Sequence, residues 1–409
     1  MRKILGIILA GWLFVLCGSG CVVNGVFPAL NALTVEEGMV RGVNDFGVTL
    51  LRNLWENKPV NLFISPASLE LCLAMVASGA RGQTQAEMLQ VLGLSGMSME
   101  EIQENNRNLL KMLNLSNTRV ELRVANSLWA RKGFPFYERF LSDIRKYYRA
   151  EAEVVDFTDP ETLSRINRWV DRATNSRIDR ILDRISQDDI LILLNAIYFR
   201  GKWFYRFDPK NTEPLPFYTL SGESQDLPTM EQEGKFDYTE DHTLQMVRLP
   251  YADNRFSMYI LLPRTTSGME TLLPSLNATR LESLVEQLEE REGEIYLPRF
   301  RITFGETLNE PLQTLGMRQA FDELNADFGG MLPIPPVAFV SEVKHKSVLE
   351  VNEEGTEAAA VTSVTITLTA ALPEERFTMR VDHPFLLIIR DERSGLFLFI
   401  GVVVDPEST

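Results

Sequence analysis

The chain has 409 residues, 24% of them charged and 45% hydrophobic, shares that fit a folded globular protein and exclude wholesale disorder or a fibrous repeat. Its formal charge at pH 7 is −15, with acids spread along the chain at Glu36-Glu37, Glu100-Glu101, Glu289-Glu290 and Glu353-Glu354. That balance argues against nucleic acid or a heparin-like activator as partner, because affinity for polyanions comes from clustered Lys and Arg. The N-terminus runs from Arg2-Lys3 through an apolar stretch, Ile4 to Leu16, to small residues. This is the layout of a secretory signal, and the run is short of the ~20 residues a membrane span needs. Gly18-Ser19-Gly20 before Cys21 also suits lipoprotein cleavage, so free secretion and lipid anchoring at the cell envelope through Cys21 both stay open. The other cysteines are Cys17, inside the signal, and Cys72. An exported chain with one thiol well into its length has no disulfide framework, and Cys72, in an apolar run, is expected in the core.

Residues 22–34 read as a short tether, and 35–409 as one domain, since no Pro/Ser/Gly linker, low-complexity tract or fixed-period repeat interrupts them. Val43, Phe46, Leu50, Leu51 and Leu54 recur at helical spacing. Ser65-Pro66, a cap and a first-turn proline, predicts a second helix through LELCLAMVAS to Gly79. That helix is apolar nearly all round, which places it at the centre of a domain. Helical patterns follow in EEIQENNRNLLKMLN and PETLSRINRWVDRATNSRI. Strand-like runs come later: ILILLNAIYF, FSMYILLP, EIYLPRFRITF, FLLIIRD and LFLFIGVVV, the last two joined by the turn Glu392 to Gly395. Helices early and strands late point to an α+β fold with mixed or antiparallel sheets.

An enzyme reading finds little support. The sequence holds no GxSxG, HExxH, GxxxxGK or GxGxxG. Its three histidines, His242, His345 and His383, lack metal-ligand spacing, so no metal or cofactor is implied and each is read as a hydrogen-bonded structural histidine. The stretch EEGTEAAAVTSVTITLTAAL, Glu353 to Leu372, stands out instead. Alternate residues Thr356, Ala358, Ala360, Thr362, Val364, Ile366 and Leu368 grow from small to apolar, while the interleaved set is mostly polar. This is the period-two pattern of a strand with one wet face. Its start, TEAAA, has weak β-propensity, and Gly355 is a place where chain direction can change.

These residues carry a resemblance. Glu353 to Ala360 (Glu353, Glu354, Gly355, Thr356, Glu357, Ala358, Ala359, Ala360) resembles the hinge of a serpin reactive-centre loop. NLFISPASLELCLAMVASGARGQT (Asn61 to Thr84), LLNAIYFRGKW (Leu193 to Trp203), KHKSVLEVNEEGTEAAA (Lys344 to Ala360), MRVDHPFLLIIRD (Met379 to Asp391) and the closing FLFIGVVVDP resemble further serpin segments in the right order, covering nearly everything after residue 40. The resemblance implies a bacterial, secreted or lipoprotein form with three β-sheets and about nine helices. It implies an exposed loop at about 353–377 and a monomer that is not an enzyme but a suicide-substrate inhibitor of a serine protease, its covalent partner. The family's spacing puts the scissile bond at Thr369-Ala370, with Leu368-Thr369, Ala370-Ala371 and Leu372-Pro373 as alternatives, the last disfavoured by the proline after the bond. No Lys or Arg lies between Gly355 and Glu375, so an elastase-like or subtilisin-like target is expected over a trypsin-like one, and Leu368 leaves a chymotrypsin-like target open. The small residues Thr356 and Ala358 to Ala360 favour inhibition over the alternative, a non-inhibitory serpin with a binding or chaperone-like role. By the same resemblance Ser65, Ser68, Asn195 and His345 form the polar shutter, Trp203, Arg299 and Glu353 form the breach where insertion starts, and Arg299 pairs with Glu353.

Overall fold

The computed structural model describes residues 35–113, 119–252, 254–355 and 376–406. Five strands make one sheet, in the order β10-β11-β4-β2-β3: β2 is Val120–Arg131, β3 Glu151–Val155, β4 Leu191–Gly201, β10 Phe300–Thr307 and β11 Val340–Val351. The other nine form a larger assembly: β1 Leu62–Ile64, β5 Glu213–Tyr218, β6 Ser224–Glu240, β7 Leu244–Pro250, β8 Phe256–Pro263, β9 Glu289–Pro298, β12 Phe377–Arg380, β13 Phe385–Asp391 and β14 Phe397–Val403. The long β6 joins two runs in that assembly. It links β7, β8, β13, β14 and β1 to β5, β9 and β12, so the three expected sheets are present, two of them sharing a strand.

Nine α-helices surround the sheets among the described residues: α1 Glu37–Asn57, α2 Pro66–Ala77, α3 Gly82–Val91, α4 Met99–Leu113, α5 Glu138–Tyr148, α6 Pro160–Ala173, α7 Met269–Ser275, α8 Ala278–Glu286 and α9 Asn309–Thr314. The Ser65 hydroxyl caps α2 by accepting from Ser68 N, Pro66 opens its first turn, and every residue of the helix is buried. It packs on β14 of one sheet and on β2 and β4 of the other, the central place its all-round apolar pattern calls for. β4 is buried on both faces. Leu191, Leu193, Ile197 and Phe199 enter the main core, whereas Ile192, Leu194 and Ala196 meet Ile166 and Val170 of α6.

Two sequence readings change. The run PETLSRINRWVDRATNSRI is helical only to Ala173, because Asn175 and Ser176 take the left-handed conformation (φ 55° and 58°) and turn the chain away. EIYLPRFRITF is two strands, not one. Pro298, with no N–H to donate, ends β9 in the larger sheet, and Phe300 begins β10 in the other. Arg299 is left at the corner between them.

Candidate functional site

The five-stranded sheet contains a parallel seam. β11 pairs with β4 from Val340↔Leu191 to Val348↔Tyr198, while the outer neighbours of both strands run antiparallel to them. Above that point β4 continues to Gly201 opposite Val120 of β2, and β11 to Val351 opposite Phe300 of β10. The seam's own register therefore stops short of both strand ends. A turn, Asn352 to Gly355, lies across the opening. Gly355 N donates to Asn352 O (3.1 Å) and Glu354 N to Asn352 Oδ1 (3.2 Å). Trp203 binds the turn twice, from its backbone N to Glu354 O (3.1 Å) and from Nε1 to Asn352 O (2.9 Å), and Phe207 N donates to Glu353 O (3.1 Å). The indole is itself fixed, stacked on Tyr251 at 4.7 Å and edge-on to Phe207. Gly355 has φ +93°, and a Cβ there would collide with Gly201 O and Trp203 N, so glycine is required on two counts.

Beneath the turn, Glu353 meets the corner residue between β9 and β10. Arg299 Nε donates to Glu353 Oε1 at 2.6 Å, and the Thr212 hydroxyl donates to the same oxygen. Burial pushes the Glu353 carboxyl up, but the hydrogen bonds from Arg299 and Thr212 outweigh it and hold the group below the usual carboxylate range. In a charge-reversal cycle, Arg299→Glu and Glu353→Arg are each expected to lower the unfolding midpoint, and the double variant to recover about 1–3 kcal/mol of the summed loss. Strict additivity would show that the contact carries no coupling.

A polar cluster crosses the middle of the seam on the core side. Asn195 of β4 reaches Ser68 O (3.0 Å) and Oγ (2.5 Å) on α2 and Asn126 Oδ1 (2.5 Å) on β2. His345 of β11 contacts Asn195 Oδ1 through Nδ1 (2.5 Å), and its Nε2 accepts from Ser65 N (3.3 Å). Since a backbone N–H cannot accept, Nε2 is bare and Nδ1 carries the proton. Ser65 Oγ donates to Leu398 O (2.6 Å), and Ser347 Oγ donates to Phe63 O. Seam, central helix and second sheet are thus joined through one buried network.

Burial drives the His345 pKa down to about 3 from an ordinary 6.5. In the unfolded chain the ring takes a proton below pH 6.5 that the folded protein excludes, so its contribution is intact above 6.5 and is lost as pH falls toward 3. Each unit is worth about 1.4 kcal/mol. Between pH 7 and 5 the protein should lose about 2 kcal/mol more than a His345→Gln variant, read from urea midpoints. Equal pH profiles would contradict a buried neutral ring.

A family model described as serpin (serine protease inhibitor) matches residues 41–406. The chain is 37% identical to the leukocyte elastase inhibitor of Bos taurus over 88% of this chain and 97% of that protein. The chain belongs to the serpin family. The native structure of Tengpin, a thermophilic serpin, superposes with a TM-score of 0.83 at 32% identity, covering 91% of this serpin and 95% of Tengpin. Human thyroxine-binding globulin gives 0.82 at 28% identity, over 90% and 99%.

In this serpin Ser65, Ser68, Asn195 and His345 meet in the mid-seam network, and Trp203, Arg299, Glu353, Glu354 and Gly355 meet at its upper end. Thr356 to Ala360, the reactive-bond candidates Leu368, Thr369, Ala370 and Leu372, and Cys21 lie outside the described residues. Cys72 is buried, its thiol pushed up to about 12 by desolvation. His383 is hydrogen-bonded to Pro263 O and Asp382. Sequence reasoning missed Asn126, Thr212, Ser347 and Asn352. Ser347 was within reach of it, since period two puts residues 345 and 347 of one strand on one face. Thr212 carries no local signal.

Proposed function

We propose that this serpin inhibits serine proteases as a suicide substrate. The protease attacks the loop after Gly355, forms an acyl-enzyme on the residue before the cut, and the freed segment enters the seam between β4 and β11 before hydrolysis finishes. The observation that carries this reading is the seam itself: a parallel pair whose register ends below a turn that opens the candidate loop. A strand entering there would be antiparallel to both neighbours. About a dozen new ladder hydrogen bonds at ~1 kcal/mol each, with burial of Val364, Ile366 and Leu368 at about 1.5–3 kcal/mol apiece, would exceed the stability of many whole domains. With both ends of the uncut loop tethered, the present state would be a kinetic trap.

The absence of Lys and Arg between Gly355 and Glu375 and the similarity to a leukocyte elastase inhibitor support an elastase-like or subtilisin-like target, cut at Thr369-Ala370. The N-terminal layout supports export, free or lipid-anchored at Cys21. A second reading, a non-inhibitory carrier, is favoured by the likeness to thyroxine-binding globulin. A panel of elastase-, subtilisin-, chymotrypsin- and trypsin-like proteases separates the two. Inhibition predicts a denaturant-resistant complex with the first two and a released peptide whose mass begins at Ala370. Cleavage by every active protease without any complex would select the carrier.

A further inference from the structure

Helix α2, apolar nearly all round, carries one acid. Glu70 is 0% exposed, and so is Asn106, which reaches it from α4. Asn106 Nδ2 donates to Glu70 Oε1 at 2.9 Å. The second oxygens of both groups, Glu70 Oε2 and Asn106 Oδ1, are buried with no donor. Each sits one bond angle from that single hydrogen bond. Two orphaned acceptors side by side in an apolar core are an expensive arrangement, and an ionised carboxylate there would be more so. One proton satisfies both.

We propose that Glu70 is held as a neutral carboxylic acid, its Oε2–H donating to Asn106 Oδ1 while Asn106 Nδ2–H donates to Oε1, and that loss of this proton unlatches α4 from α2. The groups around the pair fit this assignment. Tyr148 of α5 is the titratable neighbour that senses Glu70, and its own hydroxyl donates to Ala74 O at 3.2 Å. No charged side chain on α1, α3, α4, α5, β2, β4 or β14, the elements packed on α2, acts on the carboxyl. Burial alone pushes it up to about 8, against the weaker pull of the Asn106 hydrogen bond. Ionisation hands the proton to buffer base and leaves an anion facing the Asn106 carbonyl, a repulsion relieved when α4 moves away. The latch lies two residues along α2 from Ser68, which holds Asn195 in the seam.

The assignment is independent of the inhibitory reading and is tested on the full chain. The unfolded carboxyl ionises near 4.5 and the folded one near 8, so rising pH favours unfolding across that window and adds nothing above it. In Glu70→Gln, which keeps both hydrogen bonds and cannot ionise, the folding constant relative to the parent should rise about tenfold per pH unit from 5 to 8 and then level off. From pH 6 to 8, exchange of α4 amides should rise with pH more steeply than the roughly tenfold per unit of intrinsic base catalysis in the parent, and only with that intrinsic slope in Glu70→Gln. Parallel pH profiles for the two proteins would overturn the proposal. Should the variant not fold, infrared difference spectra of the parent decide alone: a protonated-carboxyl C=O band vanishing with a midpoint near pH 8 supports the latch, and its absence from the neutral protein overturns it.

Discussion

Thr356→Arg is expected to leave the protein folded and cleavable while abolishing its covalent complex with an elastase-like protease. Position 356 is the first beyond the Asn352 to Gly355 turn and shares its period-two face with Val364, Ile366 and Leu368. Before cleavage β4 and β11 pair with each other from Val340↔Leu191 to Val348↔Tyr198, so the seam is closed over that register. Insertion would carry residue 356 in first, to the level where Phe199, Leu349 and Val351 are all buried. A guanidinium taken from water to that place without a counter-charge costs several kcal/mol. A barrier raised by about 4 kcal/mol slows insertion on the order of a thousandfold, while hydrolysis of the acyl-enzyme is untouched. The partition therefore moves from trapped protease to cut inhibitor. Denaturing gels would show product without complex, and the thermal transition of the uncut variant would match the parent. A complex formed in parental yield would sink the role given to the hinge.

What was legible in the sequence follows from how local its causes are. α2 was readable because its cap, first-turn proline and apolar run sit within fourteen consecutive positions, Ser65 to Ser78. Strands β8, β13 and β14 were readable for the same reason, as short apolar runs bounded by turns. The split of EIYLPRFRITF into β9 and β10 was not, because the partner strands that claim each half, β6 and β11, are distant in sequence. The upper end of the seam was half legible. Trp203, Arg299 and Glu353 came from family likeness, whereas Thr212, which shares Glu353 Oε1 with Arg299, is polar in a polar loop and is marked only by its tertiary contact. Glu70 shows the limit most plainly. The helix pattern that placed α2 at the centre of the domain also masked the one residue that would be costly there, and its partner stands thirty-six positions away on another helix.

Gly355→Ala should weaken the native state and, with it, the restraint on the loop. The added Cβ would overlap Gly201 O and Trp203 N, both backbone, and come within 2.7 Å of Lys202 C. Neither side can yield cheaply, because Gly201 is paired in β4 and Trp203 is stacked on Tyr251. The turn must move instead. It then gives up the bonds from Trp203 N to Glu354 O and from Trp203 Nε1 to Asn352 O, each worth about 1 kcal/mol, and φ +93° adds about 1–2 kcal/mol for any residue with a Cβ. A native-state loss of about 3–4 kcal/mol follows, visible as a lower midpoint in thermal or urea unfolding. A seam-inserted state would not contain the turn, so the same loss would come off the barrier to spontaneous insertion and speed it roughly several hundredfold. On mild heating the variant should lose inhibitory activity far sooner than the parent and accumulate a species that resists denaturation. A lowered midpoint without that species would make the turn a clip on the native fold and nothing more, and an unchanged midpoint would refute the steric argument itself.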